Sequence, residues 1–402
     1  MSKSNHFFGQ SVFGQLIDLL DPSVLSSSER ETQSDRYCKR FTTKDHLITM
    51  LFGVLAHCTS LREICGGFMG LKGKLEHFGM RCLPRRSTLS YSNKNRSAEV
   101  FARIYYGLLR RYRSILLDSQ IAPIECKRVS VIDSTTISLF KDILKCAGRI
   151  PVNGRKKGGI KVHTEIVLDE RVPKLVWMSS AATNDTQFLD KVDFNQDHVY
   201  VFDKGYIDYH FYKRLTVQNV GFVTRLKDSA TFTCGEEFDI PLDAPDSLLK
   251  DEAIELPLRI NGKIVDTVRL RRVVWWDDTN QRLFSFLTNL FEMSAQNVAA
   301  IYKQRWGIEL LFKQLKQNFP LRYFLGDNEN AINIQIWCAL IANLLLSVVK
   351  NQLKRKTAFS SIASQVRVNL INYIHLIKFL NEPEKDWTND NSKEMQMPLF
   401  QT

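Results

Sequence analysis

Apolar positions set the first expectations. Val12, Phe13, Leu16, Ile17, Leu19 and Leu20 recur at helical spacing until Asp21-Pro22 stops the run. Phe41-Thr-Thr-Lys-Asp predicts a capped helix start ahead of the apolar run Leu47 to Leu55. Ser87 to Leu109 predicts more helix, rich in Arg and Tyr. The texture changes at Arg128. Short β-branched runs predict strands at 129–136, 161–168, 174–179, 198–203 and 221–226. From Phe232 to Leu287 the pattern is β-rich with acidic turns, and Asn261-Gly262 marks a hairpin. After Ser294 helical spacing resumes, to about Leu380. This order predicts an α/β protein: a helical N-terminal domain (1–128), a core in two parts (129–230 and 288–380), a β-rich insertion (231–287) and a polar tail (381–402).

Charge adds a partner to this outline. The 402 residues hold 55 Lys+Arg against 43 Asp+Glu, a formal net charge of +12. With 44% hydrophobic residues the chain has material for a real core, so disorder is excluded and the excess points to a polyanion, nucleic acid before an anionic membrane. Residues 1–128 carry 20 Lys/Arg and 11 Asp/Glu, and nine of those bases fall between Arg81 and Arg113 beside a single acid, Glu99. Lys145 to Lys161 is a second basic, glycine-containing run with no acid. Glu236 to Glu255 reverses the sign and reads as solvated turns. Eight scattered cysteines without a Cys-x-x-Cys pair argue against a zinc ribbon. Together with a polar N-terminus they imply reduced thiols in the cytoplasm. The apolar stretch Ile336 to Val349, interrupted by Asn343, predicts a buried helix and not a membrane span.

Two aspartates share one context. Asp133 follows Val129 and Val131 at period two, and Asp203 follows Val199 and Val201 in the same way. Each carboxylate therefore ends an apolar strand on the valine face, where α/β sheets place ligand-binding groups. The alternative for each is a turn cap. The third acid, Glu309, lies in Tyr302-Lys-Gln-Arg305-Trp-Gly-Ile-Glu309-Leu-Leu-Phe-Lys313-Gln-Leu-Lys316. On one continuous helix Tyr302, Arg305, Glu309, Lys313 and Lys316 would share a face within roughly 60°, opposite Ile301, Ile308, Leu311, Phe312 and Leu315. A carboxylate flanked by cations suits joint binding of metal and phosphate, and the competing reading is a solvated face with ordinary i,i+4 pairs.

Tyr302-x2-Arg305-x3-Glu309-x6-Lys316 resembles the tyrosine-arginine-glutamate-lysine signature of the insertion sequence 4 family of DDE transposases. Asp133-Ser-Thr and Phe202-Asp203-Lys-Gly-Tyr resemble that family's two aspartate regions, and the resemblance covers roughly residues 128 to 345. It implies an RNase H-like catalytic core with catalytic, metal-binding Asp133, Asp203 and Glu309, holding two Mg²⁺ (or Mn²⁺) ions. It implies double-stranded DNA as partner, both the terminal inverted repeats and the target, and a homodimer in the synaptic complex of a bacterial, nucleoid-associated protein with no membrane role. Tyr302, Arg305 and Lys316 would contact phosphates, with Lys313 a helper. A related nuclease without strand transfer, or a non-catalytic DNA-binding regulator, would carry the same residues.

Other DNA contacts are expected at Arg85 and Arg86, where Ser87 onward resembles the start of a recognition helix, and at Arg155, Lys156 and Lys157 in the basic loop. Trp275 and Trp276 either stack on a displaced base or pack the insertion as strand residues. Asp185 reads as an N-cap, Asp208 as a helix-start residue and His163 as a structural histidine.

Overall fold

The computed structural model describes residues 9–80, 82–117, 128–138, 159–170, 172–278, 281–321 and 323–383. The chain divides into two compact units, one of residues Met1–Ile115 with Gln314–Thr402, the other Leu116–Lys313. The predicted basic-loop contacts Arg155, Lys156 and Lys157, and the tail from 384, lie outside the described residues.

The first unit is helical. Its elements before the sheet are α1 (Val12–Ile17), α2 (Pro22–Thr32), α3 (Thr43–Leu55), α4 (Leu61–Met69), α5 (Arg86–Asn95) and α6 (Glu99–Leu116). Local chemistry sets the boundaries. Asp21 ends the first apolar run and caps α2, with Pro22 at its first position, where a missing N–H costs nothing. Thr42 and Asp45 form the reciprocal capping box that opens α3. The predicted helix from Ser87 to Leu109 is broken after Asn95, where Asn330 Nδ2 donates to the carbonyls of Asn93 and Arg96.

The second unit is built on one nine-stranded sheet of order β3-β2-β1-β4-β5-β9-β8-β7-β6. The strands are β1 (Arg128–Ser138), β2 (Gly159–Val167), β3 (Pro173–Ser180), β4 (His198–Phe202), β5 (Gly221–Arg225), β6 (Thr233–Glu237), β7 (Leu248–Ile260), β8 (Lys263–Asp277) and β9 (Arg282–Thr288). β4 runs parallel to β1 and β5, and the remaining pairings are antiparallel. The β-rich segment thus extends the core sheet through β9. Asn261 and Gly262, both at positive φ, make the two-residue turn between β7 and β8. Helix α7 (Tyr209–Val217) packs Phe211, Tyr212 and Leu215 into an aromatic core with Tyr200, Phe202 and Phe222.

After the sheet come α8 (Ala295–Lys303), α9 (Trp306–Asn318), α10 (Glu329–Gln352), α11 (Phe359–Val368) and α12 (Leu376–Asn381). α10 is long and apolar enough to cross a membrane by length and composition alone, but most of its side chains are packed inside the protein.

The acidic stretch departs from its reading. Asp251 and Glu252 lie on β7 and are buried, because their charges are met across the strand pair by Arg271 and Arg272 of β8. A paired charge can be buried where a lone one cannot.

Candidate active site

β1 and β4 are in parallel register from Arg128↔His198 to Ile132↔Phe202. Asp133 and Asp203 are each the next residue, so the register carries the two carboxylates side by side to the end of the parallel ladder. β1 itself continues to Ser138, paired with β2 alone, so Asp133 is interior to its strand and Asp203 follows its own. Asp203 caps the short turn Lys204–Tyr206 and accepts from the Gly205 N–H. Asp133 accepts from the Ser134 N–H at 2.7 Å.

Glu309 reaches this place through Arg305. One guanidinium nitrogen lies 2.9 Å from Asp133 Oδ2 and the other 2.6 Å from Glu309 Oε1. Arg305 and Asp133 are largely shielded from solvent, and Glu309 is one-third exposed. Burial raises the Asp133 carboxyl to about 6, with the charges of Asp203 and Glu309 pushing the same way and Arg305 opposing. The carboxylate charges of Asp203 and Glu309 press on Asp133, and Arg305 supplies a countercharge.

The helix carrying the signature is not continuous. Gln304 and Arg305 form a tight turn between α8 and α9, with Arg305 N–H donating to Tyr302 O and Ile308 N–H to Arg305 O, both at i→i−3 spacing. The single polar face expected from the spacing is therefore split. Tyr302 is buried, its ring against Phe286 at 5.0 Å and beneath the Arg305 guanidinium, and its hydroxyl has no hydrogen-bond partner of ordinary geometry among the described residues. Lys313 and Lys316 are exposed on α9, and Lys316 falls past the boundary between units. The exposed side of α9 also carries Trp306 and Leu310, an i,i+4 pair that the sequence reading did not single out. Arg225, at the end of β5, adds a cation near Tyr302. Trp275 and Trp276 are half-buried strand residues opposite Phe284 and Leu283.

Asp185 is placed differently from its reading. Asn184 is the cap of the turn Asp185–Lys191. Asp185 Oδ1 instead accepts from Ser134 Oγ at 3.1 Å and lies 3.0 Å from Lys161 Nζ and 3.6 Å from His163 Nδ1. Its Oδ2 and that of Asp203 both come within 4 Å of the point where a side chain on Gly205 would begin. Ser134 and Asp133 are neighbours on a strand and face opposite ways, so Asp185 braces β1 from the side away from Glu309. His163 is buried between Tyr206 and Ser179, and burial lowers its imidazole to about 4, as fits a structural residue. Asp208 caps α7 through the His210 and Phe211 N–H groups.

The donor set at the centre is three carboxylates, hard oxygen ligands of the kind Mg²⁺ and Mn²⁺ prefer. Among the described residues no three metal-ligating side chains already converge on one point.

Comparison with known proteins gives this centre a context. A family model described as a transposase DDE domain matches residues 124–345, and one described as a domain of unknown function matches residues 8–81. The protein y4zB of Sinorhizobium fredii, named as a transposase, is 32% identical over 71% of this chain and 78% of its own length. The transposase for insertion sequence element IS5377 of Geobacillus stearothermophilus is 30% identical over 58% of this chain and 60% of its own. That for insertion sequence element IS4SA of a Synechocystis species is 26% identical over 65% of this chain and 71% of its own.

Proposed function

The chain belongs to the insertion sequence 4-like DDE transposases, and we propose that it cleaves the terminal inverted repeats of an insertion sequence and joins the 3′ ends to target DNA. The observation that carries this reading is the register that sets Asp133 level with Asp203 while Arg305 ties Asp133 to Glu309. The strand order supports an RNase H-like core, since β3-β2-β1-β4-β5 has one strand, β2, antiparallel to the rest.

Asp133, Asp203 and Glu309 would hold two Mg²⁺ or Mn²⁺ ions. Bound there, such ions supply an activated water or 3′-hydroxyl and offset charge on the leaving oxygen. The chain's own residues do the positioning. Arg305 sets the spacing of Asp133 and Glu309 with the two nitrogens of its planar fork, and Tyr302 packs against it from below. Lys313 would add a cation on the exposed side of α9. We read the protein as acting on double-stranded DNA in the bacterial cytoplasm, with two protomers pairing two ends.

The test is a nicking assay on inverted-repeat duplex with Mn²⁺. Asp133→Asn, Asp203→Asn and Glu309→Gln should each remove cleavage while gel-shift binding of the same duplex persists. Cleavage by Asp203→Asn at the wild-type rate would remove that residue from the centre. A pre-cleaved end separates transposase from nuclease: joining to plasmid DNA is expected, and cleavage without joining would favour the nuclease.

A further inference from the structure

Thr164 is a polar residue in an apolar row. It lies on β2, a strand buried along almost its whole length. Side chains alternate along a strand, so Val162, Thr164 and Ile166 share one face. They pair across β1 with Thr135, Asp133 and Val131, and directly opposed residues of an antiparallel pair face the same way. On its other side Thr164 pairs with Val176 of β3. Val162, Ile166 and Val176 are buried, and Thr164 is 1% exposed among them.

Its hydroxyl stands alone. Thr164 Oγ1 is buried and has no hydrogen-bond partner among the described residues. The other buried serine and threonine hydroxyls of the sheet are bonded. Ser130 Oγ meets His198 Nδ1 at 2.7 Å and Glu165 Oε1 at 3.2 Å. Thr224 Oγ1 donates to Phe202 O at 3.1 Å, and Thr288 Oγ1 donates to Phe222 O. A buried hydroxyl without a partner costs about 1–3 kcal/mol, and valine would fill the same space without that cost. Folding alone therefore favours valine at position 164.

Asp133 gives the hydroxyl a use. β1 lies between β2 and β4, so Asp133 has Asp203 on one flank and Thr164 on the other. Directly opposed Cβ atoms are about 4.5–5.5 Å apart, a gap that side-chain rotation closes between a hydroxyl and a carboxylate. Asp133 Oδ1 accepts from the Ser134 N–H, and Oδ2 accepts from Arg305. A carboxylate has about four lone-pair sites, so room remains for a third donor. The kind of donor matters. A further cation at this point would repel a metal ion, whereas a neutral hydroxyl orients the carboxylate without adding charge.

We propose that Thr164 is a positioning residue of the carboxylate centre, its hydroxyl donating to Asp133 when Asp133 holds Mg²⁺ or Mn²⁺. It acts through Asp133 and touches neither the ion nor DNA. The proposal rests on the reading of Asp133 as an ion ligand. Carboxylates that bind metals are themselves hydrogen-bonded, and losing such a partner weakens metal affinity by roughly ten- to a hundredfold.

The test measures Mn²⁺ binding to the full chain by electron paramagnetic resonance, without DNA, beside urea unfolding of the same proteins in EDTA. Thr164→Val should weaken Mn²⁺ binding by about tenfold or more, while its unfolding midpoint in EDTA stays equal or rises. Thr164→Ser, which keeps the hydroxyl, should recover most of the lost affinity. Wild-type affinity in Thr164→Val, or no recovery in Thr164→Ser, would overturn the proposal. So would a lower midpoint in Thr164→Val, because the hydroxyl would then already be bonded in the ion-free fold. Asp133→Asn separates this proposal from the reading beneath it. If Asp133→Asn loses Mn²⁺ binding and Thr164→Val does not, Thr164 alone is misassigned. If Asp133→Asn binds Mn²⁺ as wild type does, Asp133 is not the ligand and both fall.

Discussion

Arg305 and Asp185 show how single side chains set the geometry of the centre. Each stands beside an aspartate-bearing strand, one on either side of β1. Arg305 was legible in the sequence because its spacing to Glu309 is local. Asp185 was not, because its partners Ser134, Lys161 and His163 lie 51, 24 and 22 positions away and no short motif links them. Its local context, a polar turn before Phe188-Leu189, mimics an ordinary cap. The side chains of Asp185 and Lys161 are only 24% and 15% exposed, so their pairing should exceed the usual value of a surface salt bridge. Asp185→Asn should therefore destabilise the protein by about 1–2 kcal/mol in urea unfolding, since Lys161 loses its countercharge. In a double-mutant cycle, Lys161→Met should recover part of that loss, and additive effects would show the two to be independent.

At the level of elements, the short strands and the Asn261-Gly262 hairpin were readable, and the pairing of charges across that hairpin was not. β1, β4 and β5 are apolar runs between turn signals, so composition alone marks them. β7 and β8 are 13 and 15 residues long, and their acids and bases lie on separate strands, which makes the acids of β7 look like solvated turns. Pairing cancels that impression. Arg271 is 5% exposed, clasps Asp251 with two nitrogens and donates to the carbonyls of Leu290, Phe291 and Met293. It therefore fastens β8 to the segment that leads into α8, and α8 carries Tyr302. Arg269, two residues earlier on the same strand, pairs with Glu236 in the open. Arg271→Met should cost about 3–5 kcal/mol in chemical denaturation, because it leaves a buried carboxylate and three carbonyls without a donor. Arg269→Ala should stay within about 0.5 kcal/mol of wild type. Similar losses for the two would mean that burial does not decide their worth. The break between α8 and α9 escaped the sequence for a related reason: periodicity counts residues and cannot register a turn that tightens from i+4 to i+3.

Across the whole molecule the net charge of +12 describes solubility and partner more than stability, which depends on charges that folding suppresses. Burial holds His46 neutral and lowers its imidazole to about 3, with the nearby Arg96 charge adding to the effect. It lowers His163 to about 4, and it lowers His198 as well. Above about pH 6.5 these rings are neutral in both states and cost nothing. As pH falls through that value the unfolded chain takes up protons that the folded chain refuses, so stability is lost on acidification. At pH 5.5 His46 and His163 should each contribute about 1.4 kcal/mol of that loss. Asp133 acts in the opposite sense. Its folded carboxyl, raised to about 6, holds a proton that the unfolded chain has released, so moving from pH 7 to 5.5 returns about 0.8 kcal/mol. The histidines outweigh it, and the melting temperature of the metal-free protein should fall over that interval by several degrees. His46→Gln should flatten the fall, and Asp133→Asn should steepen it by removing the opposing contribution. A melting temperature that rose toward pH 5.5 would place the balance with the carboxylates, and would mean that the acids around Arg305 hold more protons in the folded state than Asp133 alone accounts for.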